Sequence, residues 1–252
     1  MFKFRVMALA ALASIAGAAQ AAFLVTYEAP GATATTAAFD YAGVETFDAR
    51  GTGVQTFSTN FGTGGQPVVI SGTYSNVQIH AVDVYGGANG SNYAVAFSST
   101  PYELTLLSAA GAGAAPLPVT YFGYWLSALD AGNHVEFYRG GAKVFGFDPA
   151  DVLALTGNCP ASPYCGRPEA PYAGGNGGEP YVFLNFYDQS GLGFDKVRFY
   201  ETGGGGYESD NHTVGYYKTV TGTPVNSVPE PSTLALAGLA AAGLIARRRR
   251  SA

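Results

Sequence analysis

The sequence predicts an all-β protein with a single antiparallel β-sandwich of the jelly-roll type. Short runs of aromatic and β-branched residues recur along the chain, separated by clusters of glycine, asparagine and proline. The chain contains 17 tyrosines and 16 phenylalanines, while only 12% of its residues are charged, so apolar material for a core is abundant. Apolar segments next to basic residues mark both ends of the chain and are expected to flank the sandwich.

The best-defined local element is a hairpin over residues 134–148, in which Gly140 and Gly141 form the turn. A short helix is expected over residues 148–155, with Asp148 as its N-cap. The other segments with the composition of strands are residues 23–29, 68–82, 93–99, 102–107, 119–126, 181–187, 194–201 and 213–220.

The N-terminus has the layout of a secretory signal peptide. Two basic residues precede an apolar run over residues 6–19, and the small-residue sequence that follows predicts cleavage between Ala21 and Ala22. An N-terminal membrane anchor is the alternative, although the run is short for a span of about 20 residues. We therefore expect a signal peptide over residues 1–21 and an exported protein.

The rest of the chain divides into a sandwich domain (residues 22–218), a flexible linker rich in Thr, Pro, Asn and Ser (219–227) and a C-terminal tail (228–252). Six of the thirteen basic residues lie in the terminal segments, so residues 22–230 hold seven basic against eighteen acidic residues, a net charge of −11. Phosphate backbones are bound by clustered Lys and Arg, and a domain this acidic would repel them. Nucleic acid is therefore not an expected partner.

Two cysteines, Cys159 and Cys165, lie close together in the sequence. An even number of cysteines at short spacing in an exported protein predicts a disulfide. A metal-binding pair is the alternative, but zinc sites need further Cys or His residues at set spacings, and none follows.

The sequence contains no clear catalytic motif, so we expect a non-enzymatic protein. The three histidines are far apart, and the nucleophile elbow, the P-loop and the dinucleotide fingerprint are absent. A glycoside hydrolase would use two carboxylates across a groove, for which Glu136 and Asp188 are candidates.

Two ligand sites are candidates. Glu208, Asp210 and Asn211 offer oxygen ligands for Ca²⁺, although the full calcium-loop pattern is absent and the same residues suit a turn. No other cofactor is expected. The second candidate site consists of three aromatic side chains, Tyr124, Trp125 and Tyr138. They could stack on sugar rings or, alternatively, fill the core of the sandwich.

The C-terminal tail contains Val228-Pro229-Glu230-Pro231, an apolar run over residues 233–246 and four arginines. A helix of 14 residues spans about 21 Å, short of the ~30 Å hydrocarbon core. The prolines keep the preceding chain extended, and the arginines hold the terminus in the cytoplasm. This arrangement suits a temporary anchor with a cut site at the outer membrane face.

The tail resembles a PEP-CTERM sorting signal, with its motif, short transmembrane helix and Arg-rich end in the right order. The resemblance implies recognition by an exosortase in the inner membrane of Gram-negative bacteria, transient membrane anchoring, and release to the cell surface or outside the cell. Two segments of the body, residues 121–141 and 194–212, are similar to segments of exosortase-dependent surface proteins that have predicted β-sandwich cores and no assigned activity.

Together these observations favour an exported, non-enzymatic surface or extracellular-matrix protein associated with exopolysaccharide or biofilm. The alternatives are a carbohydrate-binding module with an aromatic stacking platform and a secreted glycoside hydrolase.

Overall fold

The computed structural model describes residues 23–62, 68–110 and 117–225. These residues form thirteen strands, one α-helix and one short 3₁₀ turn at Ala88–Gly90. The strands are β1 (Phe23–Tyr27), β2 (Phe39–Glu45), β3 (Gly53–Asn60), β4 (Val68–His80), β5 (Tyr93–Ala96), β6 (Tyr102–Ala110), β7 (Tyr121–Ser127), β8 (Asn133–Arg139), β9 (Ala142–Phe147), β10 (Val182–Asp188), β11 (Lys196–Glu201), β12 (Tyr207–Tyr217) and β13 (Thr223–Pro224); the helix is α1 (Ala150–Thr156).

All thirteen strands belong to one antiparallel sheet, which confirms the all-β prediction. The strand order is β13, β1, β10, β7, β12, β5, β4, β6, β11, β8 and β9, with β2 paired to β12 and β3 to β4. The predicted sandwich of two sheets is therefore replaced by one continuous, curled sheet. β1, next to the β13 end of the sheet, packs against β9 at the other end, because the rings of Phe23 in β1 and Phe145 in β9 stack at 4.6 Å.

The core lies inside the curl, between the β10, β7 and β12 half and the β11 and β8 half. The ring of Phe199 in β11 packs against Phe122 at 5.9 Å and against Tyr124 at 5.3 Å, both from β7. The imidazole of His212 stacks on the same Phe199 ring at 5.2 Å. Edge-to-face and offset contacts of this kind add to the apolar burial that stabilises the sheet.

The predicted hairpin is confirmed, since β8 pairs with β9 and the turn glycines have positive φ angles. The helix is present but begins later than expected. Pro149, rather than Asp148, occupies the N-cap position, and no side chain caps the helix. The Asp148 carboxylate instead contacts Nδ1 of His134.

The end of the domain also differs from the prediction. The composition of residues 219–227 predicts a flexible linker, but Thr223 and Pro224 pair with β1, and Val225 is 7% exposed. The folded domain thus extends at least to Val225. Among the described residues, no helix has the length and apolar character needed to cross a bilayer. The predicted signal peptide and C-terminal transmembrane helix lie outside the described residues.

Candidate functional site

The processing sites predicted at the two ends of the chain lie outside the described residues. They are Ala21 and Ala22 for signal cleavage, and Val228, Pro229, Glu230 and Pro231 for sorting. Both remain predictions from the sequence.

The predicted disulfide is confirmed. Cys159 and Cys165 are bonded, with their Cα atoms 5.5 Å apart, near the start of a segment of irregular structure over residues 157–181. This segment, which we call the insertion, covers the outer face of β7 and β10. Tyr181 at its end packs against Trp125 with ring centroids 5.7 Å apart.

Two of the three residues considered for sugar stacking are buried, which favours the alternative interpretation of these two as packing residues. Tyr124 points into the core, and Trp125 points outward but is covered by the insertion; both are 0% exposed. Trp125 forms an apolar cluster with Ala88, Tyr181 and Phe183. Neither ring presents a face to a ligand in this structure.

A buried arginine holds the insertion against the rest of the domain. Arg167 is 1% exposed, and its guanidinium donates hydrogen bonds to the backbone carbonyls of Asp83 at 2.8 Å, Gly86 at 2.5 Å and Gly87. It also lies 5.7 Å from the Trp125 ring, within cation–π range. These contacts compensate part of the cost of burying the charge.

Tyr138, the third stacking candidate, is half-buried on the outer face of the β6, β11, β8 and β9 part of the sheet. Its hydroxyl donates to Glu136 Oε2 at 2.7 Å, and the Lys196 ammonium lies 4.7 Å from its ring centroid. We call this charged surface the Tyr138 face; it comprises Glu103, Glu136, Tyr138, Lys143, Lys196 and Arg198.

Glu136 is the carboxylate that most other residues of the Tyr138 face contact. It accepts hydrogen bonds from Lys143 Nζ at 3.1 Å and from Arg198 Nη1 at 3.3 Å. Burial pushes the pKa of Glu136 upward, but the hydrogen bonds from Tyr138 and Lys143 outweigh it and hold the pKa below its usual value. Glu136 is therefore an ionised structural carboxylate.

Asp188, the other carboxylate considered for hydrolysis, has separate partners. It is 1% exposed and accepts hydrogen bonds from Gly193 N at 2.7 Å and Arg139 Nη2 at 3.1 Å. Glu136 and Asp188 are each held by their own cations, and no contact joins them among the described residues.

The three residues considered for Ca²⁺ lie in a strand rather than in a loop, which corrects that interpretation. Asp210 Oδ2 accepts hydrogen bonds from Ala88 N and Ser91 Oγ, both at 2.7 Å. Asn211 has a positive φ of 51° at an irregularity in β12, and its amide donates to Thr33 O. Burial raises the pKa of Asp210 to about 7 and that of Glu208 to about 8. Asp210 and Asn211 thus connect β12 to neighbouring loops by hydrogen bonds.

A further polar group, which the sequence did not indicate, lies at the adjoining ends of β8 and β11. Asn133 and Glu201 are directly opposite each other and are 0% and 3% exposed. Glu201 Oε1 accepts from the backbone amides of Gly203 and Gly204. Glu201 Oε2 and both polar atoms of the Asn133 amide have no hydrogen-bond partner. Among described residues, no three acidic, His or Cys side chains converge as a metal-binding group.

Comparison with known proteins assigns the C-terminal tail. Residues 227–250 match the family model described as the PEP-CTERM protein-sorting motif. No curated protein and no solved structure matches the chain.

Proposed function

We propose that this chain, which carries a PEP-CTERM sorting signal, is a non-enzymatic protein of the cell surface or extracellular matrix. The signal implies export, processing by exosortase, and membrane-associated sorting toward the cell surface. The match over residues 227–250 is the observation that carries the proposal. The domain from Phe23 to Val225 would then be the part that is delivered.

Replacement of Pro229-Glu230-Pro231 by three alanines tests the sorting step. We expect the variant to accumulate uncut in the inner membrane, because the sequence recognised at the membrane face is gone. Cell fractionation followed by intact-mass analysis measures the outcome. Leu192→Ala is a matched control, since Leu192 is 66% exposed on the folded domain and far from the motif in sequence. Equal release of the alanine variant and the control contradicts the proposal.

We further propose that the delivered domain associates with acidic extracellular polysaccharide through the Tyr138 face. This face holds three of the seven basic residues of the acidic domain, opposed by two carboxylates, so it is locally more positive than the rest. Lys143 and Tyr138 retain exposed surface, and a Tyr ring offers an apolar face to a sugar. Clustered cations of this kind attract carboxylated sugars.

Binding to alginate and polygalacturonate, with neutral dextran as a comparison, tests the polysaccharide step. We expect the acidic polymers to bind and Tyr138→Ala to weaken binding severalfold. Tyr85→Ala is the matched control, because Tyr85 is a 50% exposed tyrosine away from this face. Loss of binding in both variants, or binding to no polymer, overturns this assignment while leaving the sorting proposal intact.

A further inference from the structure

Within the described residues, four strands of the sheet have a partner on one side only, namely β2, β3, β9 and β13. Three of them are protected against pairing with another chain. β13 has two residues and ends in Pro224, while β9 carries Lys143 and packs against β1 through Phe145. β2 carries Asp40 and Glu45. Short length, prolines, charges and covering segments are the ways in which natural proteins block the free backbone groups of an edge strand.

β3 is the edge strand that has none of these protections. It spans eight residues, Gly53–Asn60, of which none is charged, none is a proline and none is buried. In the described part of the chain, hydrogen bonds join its backbone to β4 alone. An uncharged, exposed edge of this length is a template on which a further strand can pair.

We propose that β3 pairs antiparallel with β3 of a second copy of this chain and forms a dimer with two-fold symmetry. Pairing of this kind uses backbone hydrogen bonds, so the partner must itself offer a free strand, and a second β3 does so. A contact in which the same strand meets itself is self-complementary and closes at two copies. The sheet of one copy thereby continues into the sheet of the other.

The charge distribution favours a second copy as the occupant of this edge. Residues 22–230 carry a net charge of −11, so two copies repel each other over most of their surfaces. Every residue of β3 is neutral, so no like charges are opposed when β3 meets its counterpart.

The alternation of side chains limits the register of this pairing. Opposed residues must lie on the same face of the sheet, so one residue has to oppose its own counterpart. The longest overlap is then centred on Thr56, which pairs residues 53–59, or on Phe57, which pairs residues 54–60. Either register brings nearly the whole strand into the contact.

Sedimentation equilibrium of the domain tests whether it dimerises. One strand pair buries less than about 1,200 Å², the lower limit for specific, stable interfaces, so we expect a weak dimer with a dissociation constant of about 10⁻⁴ M. The measurement should therefore cover protein concentrations from about 10⁻⁵ M to about 10⁻³ M. A monomer over this whole range overturns the proposal.

A charge placed on β3 tests the contact itself. In either register Thr56 is opposite or diagonal to its counterpart, so Thr56→Glu brings two like charges together and is expected to weaken dimerisation severalfold. Thr105→Glu is the matched control, because it adds the same charge at an exposed threonine of β6, a strand with partners on both sides. The control should dimerise as the wild type does.

A mixture of oppositely charged variants separates loss of the contact from loss of the fold. Equal amounts of Thr56→Glu and Thr56→Lys should regain the wild-type association, which two misfolded proteins would not. Thr56 Oγ1 accepts a hydrogen bond from Asn76 N at 3.3 Å, so Val54→Glu, at an exposed position of β3, takes its place if Thr56→Glu does not fold. Equal association of the β3 variant and the control, or no recovery in the mixture, places the contact elsewhere and overturns the proposal.

Discussion

The backbone amide of Val225 donates a hydrogen bond to the carbonyl of Val25 at 2.9 Å, which joins the last described segment of the chain to the first strand. Phe23 is the second residue after the predicted signal peptide, and residue 227 begins the matched sorting motif. Because β13 pairs antiparallel to β1, the domain residues next to the two predicted processing sites lie at one edge of the sheet. The first and last described segments of the domain are therefore joined by backbone hydrogen bonds.

The contribution of this closing segment can be measured with a pair of valines. We expect Val225→Ala to lower the free energy of unfolding by about 1–2 kcal/mol, since Val225 is 7% exposed. Val220→Ala is the control, because Val220 is 41% exposed and its truncation should cost less than about 0.5 kcal/mol. Urea unfolding of the domain gives both values. Equal effects would mean that the chain leaves the domain before Val225.

Trp125 is the only tryptophan, so its fluorescence reports one site. We expect its emission in the folded protein to resist quenching by acrylamide, because the ring is 0% exposed beneath the insertion. Trp125→Ala should lower the free energy of unfolding by about 3–5 kcal/mol through the cavity it leaves. Urea-unfolded protein is the reference for full quenching. Strong quenching in the native state would restore Trp125 as a candidate for ligand stacking.

The disulfide should stabilise the domain by restricting the unfolded chain. Closing the short loop between Cys159 and Cys165 predicts a contribution of about 2 kcal/mol. The double variant Cys159→Ser with Cys165→Ser should therefore unfold at lower urea concentration than the oxidised protein. Reduced wild-type protein is the control and should match the variant. If oxidised protein and variant unfold together, loop closure contributes nothing measurable.

His212 predicts a loss of stability in acid. Its ring nitrogens lie 3.0 Å from Tyr74 Oη and 3.0 Å from Ser209 Oγ, and burial lowers the pKa of His212 to about 3. Between its unfolded value of about 6.5 and this folded value, the unfolded chain binds a proton that the folded chain does not. Stability therefore falls as the pH falls through this window, by up to about 1.4 kcal/mol per pH unit from this residue.

The pH effect is measured as the difference in unfolding free energy between wild type and His212→Asn. Asp210 titrates with the opposite sign, because its pKa of about 7 lies above the usual value, but it is present in both proteins and cancels in the difference. We expect the difference to shrink as the pH falls from about 7 to about 4. Ser209→Ala retains the imidazole and should keep the wild-type slope. Parallel profiles for wild type and His212→Asn would show that this ring does not control acid stability.

Local spacing was sufficient to predict the elements whose signals lie within a few residues. The Gly140-Gly141 pair predicts the hairpin, because a two-residue turn needs positive φ angles that glycine adopts without strain, and alternating apolar residues lie on both sides. The disulfide and the sorting motif are likewise contiguous in the chain. Each depends on neighbouring residues and needs no knowledge of the rest of the fold.

Elements stabilised by distant partners were missed. β2 and β3 have few consecutive apolar residues, and β2 contains Gly43, where a Cβ atom would lie 1.7 Å from Phe61 O. The first half of β12 is a polar run whose composition is typical of a loop. It is a strand because β5 and β7 pair with its backbone, and a loop about 120 residues earlier in the chain supplies hydrogen-bond donors to Asp210.

The aromatic residues show most clearly which properties the sequence pattern predicts and which only the tertiary structure decides. Alternation along the chain placed Trp125 and Tyr138 in strands of one all-β domain. Only the fold decided that the insertion covers the outer face at Trp125, whereas Tyr138 remains partly accessible on its charged face. Strand formation depends on local composition, but the exposure of a side chain depends on which distant segment packs over it.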